Sequence, residues 1–209
     1  MSVINDLKWR YATKRMTGEK VVAEKLEKIL DAIQLAPTSI GLQPFTVLVI
    51  GDDETRAKIA PAIFNQPQIM QGSHVLVFAA WKEFPEGKVE KHINQIATVR
   101  GIPVDSLDGL RNMINGAISG KTPEQLLQWN SRQAYIALGT GLVAAAEERV
   151  DATPMEGFDP DALDAALGLA EKGLRSTVIL TLGYRDEKND YLSKATKVRR
   201  EKEELFVKL

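Results

Sequence analysis

An α+β or α/β fold is what this sequence predicts, and three observations carry the prediction. Segments with helical periodicity are interleaved with a few short apolar runs bounded by breakers, the pattern of helices around buried strands. Residues 134–146 are apolar on every face, so a helix there is expected to be buried all round. No repeat, low-complexity tract or composition shift marks a linker, so the 209 residues read as one domain, 1–209.

Each element has its own signal. Ser2 caps a first helix running to about Tyr11, with Asn5 and Asp6 in its first turn. Leu26, Ile29, Leu30 and Ile33 fall at i, i+3, i+4, i+7 and define an amphipathic helix over 21–35. Pro37 ends it, because the residue before a proline avoids the helical region. Residues 36–44 form a loop rich in breakers and hydroxyls. Residues 45–50 and 75–81 read as buried strands, with 54–64 helical between them. Helices follow at 89–100 and 105–118, separated by Gly101-Ile102-Pro103. Thr122-Pro123-Glu124-Gln125 is a capped start to the longest helix, which runs to about Arg149. Asp159-Pro160 caps a short helix to Leu167, and 176–182 is a third strand closed by Gly183. The charged tail, 184–209, is a candidate edge strand.

Composition excludes several functions. Cysteine is absent, which removes disulfides, thiolate metal sites and cysteine nucleophiles. Two histidines, His74 and His92, are too few for a histidine-rich metal cluster. Lys+Arg number 27 against 28 Asp+Glu, a balance unlike that of a dedicated nucleic-acid binder. The longest low-polarity run falls short of the roughly 18–20 residues needed to span a bilayer. The N-terminus lacks the basic start, apolar run and cleavage site of a signal peptide. A soluble, cytoplasmic protein is therefore expected. No Gly-x-Gly-x-x-Gly is present. Gly116 to Thr122 has three residues between its glycines where a Walker loop has four, and reads as an interhelix loop. Ser73-His74 reads as a strand-edge pair. Asp105, Asp108, Glu147-Glu148 and Glu203-Glu204 read as solvated faces.

Three separated features point to an anionic, aromatic ligand. Arg10 and Lys14 lie four residues apart and can converge on one phosphate, the arginine bidentately. Lys197 and Arg199 form a second basic pair near the far end of the chain. Pro37-Thr38-Ser39 supplies hydroxyls and backbone amides.

Together these resemble the nitroreductase family. Arg10-Tyr11-Ala12-Thr13-Lys14 is similar to its N-terminal Arg-x-Ser/Ala-x-Lys phosphate motif. Ala36-Pro37-Thr38-Ser39, with Gln43-Pro44-Phe45 following, resembles its Ala-Pro-Ser signature. Asn65 stands where members often carry an asparagine, Pro154-Met155-Glu156-Gly157-Phe158 resembles the Pro-x-Glu-Gly-Phe loop, and Lys197-x-Arg199 resembles the C-terminal phosphate clamp. The order covers the chain from residue 10 to residue 199.

The resemblance implies an α+β fold with a central, mostly antiparallel sheet flanked by helices and a long buried central helix. It implies a homodimer with an exchanged C-terminal tail, and noncovalent FMN reduced by NADH or NADPH. By the same resemblance, Arg10, Lys14, Lys197 and Arg199 hold the phosphate, and Tyr11 and Ala12 contribute through backbone. Asn65 and Gln68 lie near the ring. Pro37, Thr38, Ser39 and Gly41 come from the other subunit. Pro154, Met155, Glu156 and Gly157 pack on the isoalloxazine, an amide donating to its reactive nitrogen. No protein side chain is catalytic, since flavin carries the chemistry and the protein orients it. The implied activity is transfer of a hydride from NAD(P)H to small electrophiles such as nitroaromatics or quinones, in ping-pong order. The alternatives are a dihydropteridine or enoate-type reductase, a flavin-destroying enzyme, or a non-catalytic flavin-binding protein. Ala12 departs from the commoner serine, Gly41 from asparagine and Gln68 from lysine. Residues 105–121 hold no aromatic side chain, which leaves nicotinamide and substrate choice open.

Overall fold

Four strands, the inner two buried along nearly their whole length, organise the chain. In the computed structural model, which describes residues 2–209, β1 (Phe45–Ile50), β2 (His74–Trp81), β3 (Asp151–Met155) and β4 (Leu174–Gly183) form one sheet in the order β1-β2-β4-β3. Every pairing is antiparallel, which decides for α+β over α/β. Around it lie α1 (Val3–Trp9), α2 (Ala23–Gln34), α3 (Asp53–Ile59), α4 (Pro67–Gln71), α5 (Lys88–Arg100), α6 (Asp108–Ser119), α7 (Pro123–Glu147), α8 (Pro160–Leu167) and α9 (Lys202–Leu205).

The two sheet faces bury different partners because side chains alternate along a strand. Leu76, Phe78, Val178 and Leu180 face α2 and α7, meeting Ile29, Ile33, Ala134, Ala137 and Leu138. Val75, Val77 and Ile179 face the opposite way, onto Ile59, Ile63, Ile69 and Leu163. A smaller cluster of Ile93, Ala97, Leu107 and Ile114 joins α5 to α6. Gly141 lets α2 and α7 approach: a Cβ there would stand 2.8 Å from Ile33 Cγ1. Among the described residues, no helix is long and apolar enough to cross a membrane.

Several expectations need correction. The helix α1 stops at Trp9 rather than Tyr11, because Arg10 turns extended to lead the chain into the site. The segment 54–64 divides at Ala60 into α3 and a 3-10 turn, Ala60–Ile63, with Pro61 at the junction. The short helix α4 and the strand β3 lie in stretches read only as loop or motif. The tail adds no strand, and β3 is the edge instead. Its Pro154 is tolerated there, since an edge strand has one side without a partner. The capping box of Thr122 and Gln125 forms as expected.

The expectation for α7 is overturned in an informative way. Its sheet side is buried, but Tyr135 is 38% and Ile136 43% exposed, and a Cβ on Gly139 would meet nothing within 4 Å. A helix lying on a sheet has an outer side, and nothing among the described residues covers these positions.

One buried charge ties the second face together. Arg56 is 2% exposed; its Nη1 donates to the carbonyls of Ile69 (3.2 Å), Met70 (3.3 Å) and Gly72, and its Nη2 pairs with Asp53. It thereby satisfies carbonyls at the end of α4, where helical partners run out.

Candidate functional site

The two ends of the chain meet in one basic cavity of about 470 Å³. It is lined by 8–12, Lys14, Pro154, Arg185 and residues from Leu192 to Arg199. The sequence brings them together through β4. Beyond its end, Thr17 N–H donates to Tyr184 O and Asp186 N–H to Arg15 O, so the leaving tail runs beside the arriving N-terminal segment.

Asp190 organises the segment from Tyr11 to Arg15. One carboxylate oxygen accepts from Lys14 N–H (2.6 Å), Arg15 N–H (3.4 Å) and the Tyr11 hydroxyl (3.1 Å), and the other from Leu192 N–H (2.9 Å). Burial pushes this carboxyl up, but the donors outweigh burial and hold it below its ordinary value. Burial and the Asp190 charge push the Tyr11 hydroxyl up, so it stays a donor. A depressed carboxyl stabilises the fold above its unfolded value and loses that stabilisation as pH falls through its folded value. We therefore expect thermal stability to fall below about pH 4. Asp190→Asn is expected to cost about 1–3 kcal/mol near neutrality and to flatten the acid limb of melting temperature against pH. An unchanged acid limb would remove Asp190 from this role.

The cations are crowded. Arg10 Nη2 reaches Ala152 O at 3.3 Å, while its buried Nε has no partner among the described residues. Burial, Arg199 and Arg185 pull the Arg10 guanidinium down, with Asp151 opposing them. Burial, Arg10 and Arg199 likewise pull the Lys197 ammonium down. Lys197 donates to the carbonyls of Leu7, Lys8 and Arg10, strapping the tail onto the end of α1, where a cation complements the helix dipole. Arg185 is fixed otherwise: it grips Asp151 through Nε and Nη2 and stacks on Trp9 (4.2 Å) and Tyr11 (4.7 Å). An anion placed beside Arg10 and Arg199, with Lys14 on the same wall, would relieve the repulsion between the two guanidinium groups and offer Arg10 an acceptor. The residues present therefore fit a phosphate.

The Pro154 loop borders this cavity. The Tyr135 hydroxyl donates to the Glu156 carboxylate, and burial followed by that bond pushes its pKa up to about 12. Gln66 Nε2 donates to Gly157 O at 2.7 Å. The Gly157 N–H donates to no acceptor among the described residues, which leaves it a donor toward a ligand.

Other expected site residues lie elsewhere. Met155 is 5% exposed with its side chain in the core, so only its backbone is available. Gln68 is 2% exposed and donates Nε2 to Thr13 O at 2.9 Å; it braces the 10–14 segment from behind rather than facing the cavity. Asn65 is exposed, with φ +50°, next to Gln66. Ala12 lines the cavity. Pro37, Thr38, Ser39 and Gly41 do not join it. Ser39 N–H donates to Gln133 Oε1 (2.8 Å), Thr38 Oγ1 accepts from Gln43 N–H (3.1 Å), and Gly41 lines a different cavity with α5. Sequence reasoning missed Asp190, Asp151, Arg185, Trp9, Gln66 and Tyr135. Only the fold gives these residues their roles, and no local motif announces them.

Comparisons with known proteins identify relatives of this chain. Residues 7–184 match the model described as Nitroreductase family. The chain is 30% identical to the oxygen-insensitive NAD(P)H nitroreductase of Salmonella typhimurium over 88% of this chain and 89% of that one. It is 28% identical to the major NAD(P)H-flavin oxidoreductase of Aliivibrio fischeri over 98% and 97%. A nitroreductase-like crystal structure from Exiguobacterium sibiricum, in complex with FMN, superposes with a TM-score of 0.85 at 21% identity, covering 100% of this chain and 98% of that one.

Proposed function

This chain belongs to the nitroreductase family and is an NAD(P)H-dependent flavin oxidoreductase of that family, and from that premise we propose that it binds FMN in the basic cavity and reduces small electrophiles. The observation that carries the reading is the convergence of Arg10, Lys14 and Arg199, under-compensated and with Arg10 Nε unpartnered, on one cavity. FMN bound there would supply the redox chemistry, hydride transfer from NADH or NADPH to an acceptor such as a nitroaromatic or a quinone in ping-pong order.

The chain's own residues hold and tune. Arg10, Lys14 and Arg199 take the phosphate; Lys197 keeps the tail closed over it. Tyr11 and Ala12 offer backbone, and Asn65 lies toward the ring edge. Pro154 packs the ring. The Gly157 N–H is aimed by the grips of Tyr135 on Glu156 and Gln66 on Gly157, and a fixed donor favours negative charge developing on the flavin. Gln68 and Met155 support this from the core.

The active form is a homodimer of single-domain chains. Two observations support it: the bare apolar outer side of α7, and the position of 37–41 outside its own chain's cavity, from which Pro37, Thr38, Ser39 and Gly41 would serve the partner's FMN. Leu205, Phe206, Val207 and Leu209 lie exposed at the chain end, suited to exchange onto a partner.

The test is spectroscopic. Purified protein incubated with FMN and desalted is expected to retain the yellow flavin band, which bleaches rapidly on anaerobic mixing with NADH or NADPH. Loss of the band on desalting sinks the FMN reading; a retained band that neither nucleotide bleaches sinks the enzyme reading. Light scattering at monomer mass would contradict the dimer.

A further inference from the structure

A second cavity, of about 440 Å³, lies between the Gly41–Gln43 segment, Trp81 and α5, and shares no lining residue with the basic cavity above. Its volume is that of a small-molecule site. The helix α5 presents to it residues 88, 91, 92, 95, 96, 99 and 100, which fall at i, i+3, i+4, i+7, i+8, i+11 and i+12, one continuous face. Three of these are formal cations, Lys88, Lys91 and Arg100. No Asp or Glu lines the cavity.

The sorting of charge is the telling feature. The one acid on α5, Glu90, is turned the other way, where it pairs with Arg111 of α6 at 2.9 Å. None of Lys88, Lys91 and Arg100 has an ion-pair partner among the described residues. In a chain of net charge -1, three uncompensated cations therefore border one cavity. The other walls suit a flat apolar body: Leu42, Ile96 and Trp81, the last with Lys88 Nζ over its ring at 5.1 Å. His92 joins this wall to the flavin loop, its Nε2 bonded to Ile40 O at 3.1 Å.

We propose that this cavity binds a planar ring bearing an anionic group, with the ring against Trp81 and Ile96 and the anion among Lys88, Lys91 and Arg100. The inference rests on the reductase reading for its biological sense, because the cavity's floor is the loop given to the flavin. The chemistry has two sources in such an enzyme: a carboxylate on an aromatic acceptor, or the 2′-phosphate on the adenosine of NADPH.

The experiment uses the FMN-loaded full chain, with Lys91→Gln/Arg100→Gln as the test variant and Lys91→Arg as the charge-keeping one. Calorimetry compares 4-nitrobenzoate with the near-isosteric, neutral 4-nitrobenzamide, and steady-state kinetics compare kcat/KM for NADPH with NADH. A hydrogen-bonded charge contributes enough to expect about a tenfold preference for one anionic partner over its neutral counterpart. That preference is expected to collapse toward unity in the double variant and to survive in Lys91→Arg. Collapse in the nitrobenzoate pair assigns the cavity to the acceptor; collapse in the nucleotide pair assigns it to the dinucleotide. Both pairs near unity in the native chain, or preferences untouched by the double variant, overturn the proposal. Retention of the flavin band in every variant separates such a failure from a failure of the FMN reading.

Discussion

Replacing Arg56 by alanine is expected to destabilise the protein by about 3–5 kcal/mol, the cost of breaking a buried charge network by removing one partner. For a chain of this size that corresponds to a fall in melting temperature of roughly 6–20 °C. The expectation comes from what the guanidinium holds. Its Nη1 serves three backbone carbonyls between Ile69 and Gly72, and its removal leaves those acceptors without donors beside a cavity the size of the side chain. The ion pair with Asp53 is the lesser part, because the Asp53 side chain is 77% exposed and solvent screens it. Asp53→Ala is therefore expected to cost far less than Arg56→Ala. Arg56→Met, which restores packing without donors, is expected to fall between the two. Thermal melts of the three variants decide, and equal losses for Asp53→Ala and Arg56→Ala would assign the stabilisation to the ion pair instead.

Arg10→Ala is expected to weaken FMN binding by roughly 10–100-fold, the value of a charge-assisted hydrogen bond to a phosphate. Arg10 is half-buried, with one long bond to Ala152 O and an Nε without an acceptor among the described residues. Arg10→Lys keeps charge but not the planar fork, so partial recovery is expected. Affinity is also expected to fall with added salt, since the cavity opens to solvent. Fluorescence titration of FMN measures each. An affinity unchanged in Arg10→Ala would place the phosphate elsewhere. Lys197→Ala is a poorer probe, because Lys197 also straps the tail to α1 and its loss mixes tethering with binding.

The positions where sequence reasoning worked and failed follow a physical division. The continuous apolar run that becomes β2 and the capping box of α7 are local properties, and both were legible. The strand β3 was not. Asp151-Ala152-Thr153-Pro154-Met155 carries a proline and an acid, and it becomes a strand only because β4 offers an edge and Arg185 an ion pair for Asp151. The α7 helix was read as buried all round from composition. Apolar residues on all sides show that every side avoids water, not that one chain supplies all the cover. The site divides likewise: Arg10, Lys14, Lys197 and Arg199 were legible as motifs, whereas Asp190 acts through partners at the other end of the chain and Tyr135 through Glu156, on a different element.

By itself, then, the sequence determined the helix and strand periodicities, the family and the basic pairs that line one cavity, because these depend on residue types at short spacing. Only the tertiary structure decided that the tail folds back onto α1, that Gln68 and Met155 support the site from the core, that loop 37–41 stands apart from its own chain's basic cavity, and that α5 turns its acid toward α6 and its cations toward a second cavity. Those are outcomes of which surfaces the fold brings face to face, and a side chain whose partner lies on another element carries no local signal of it.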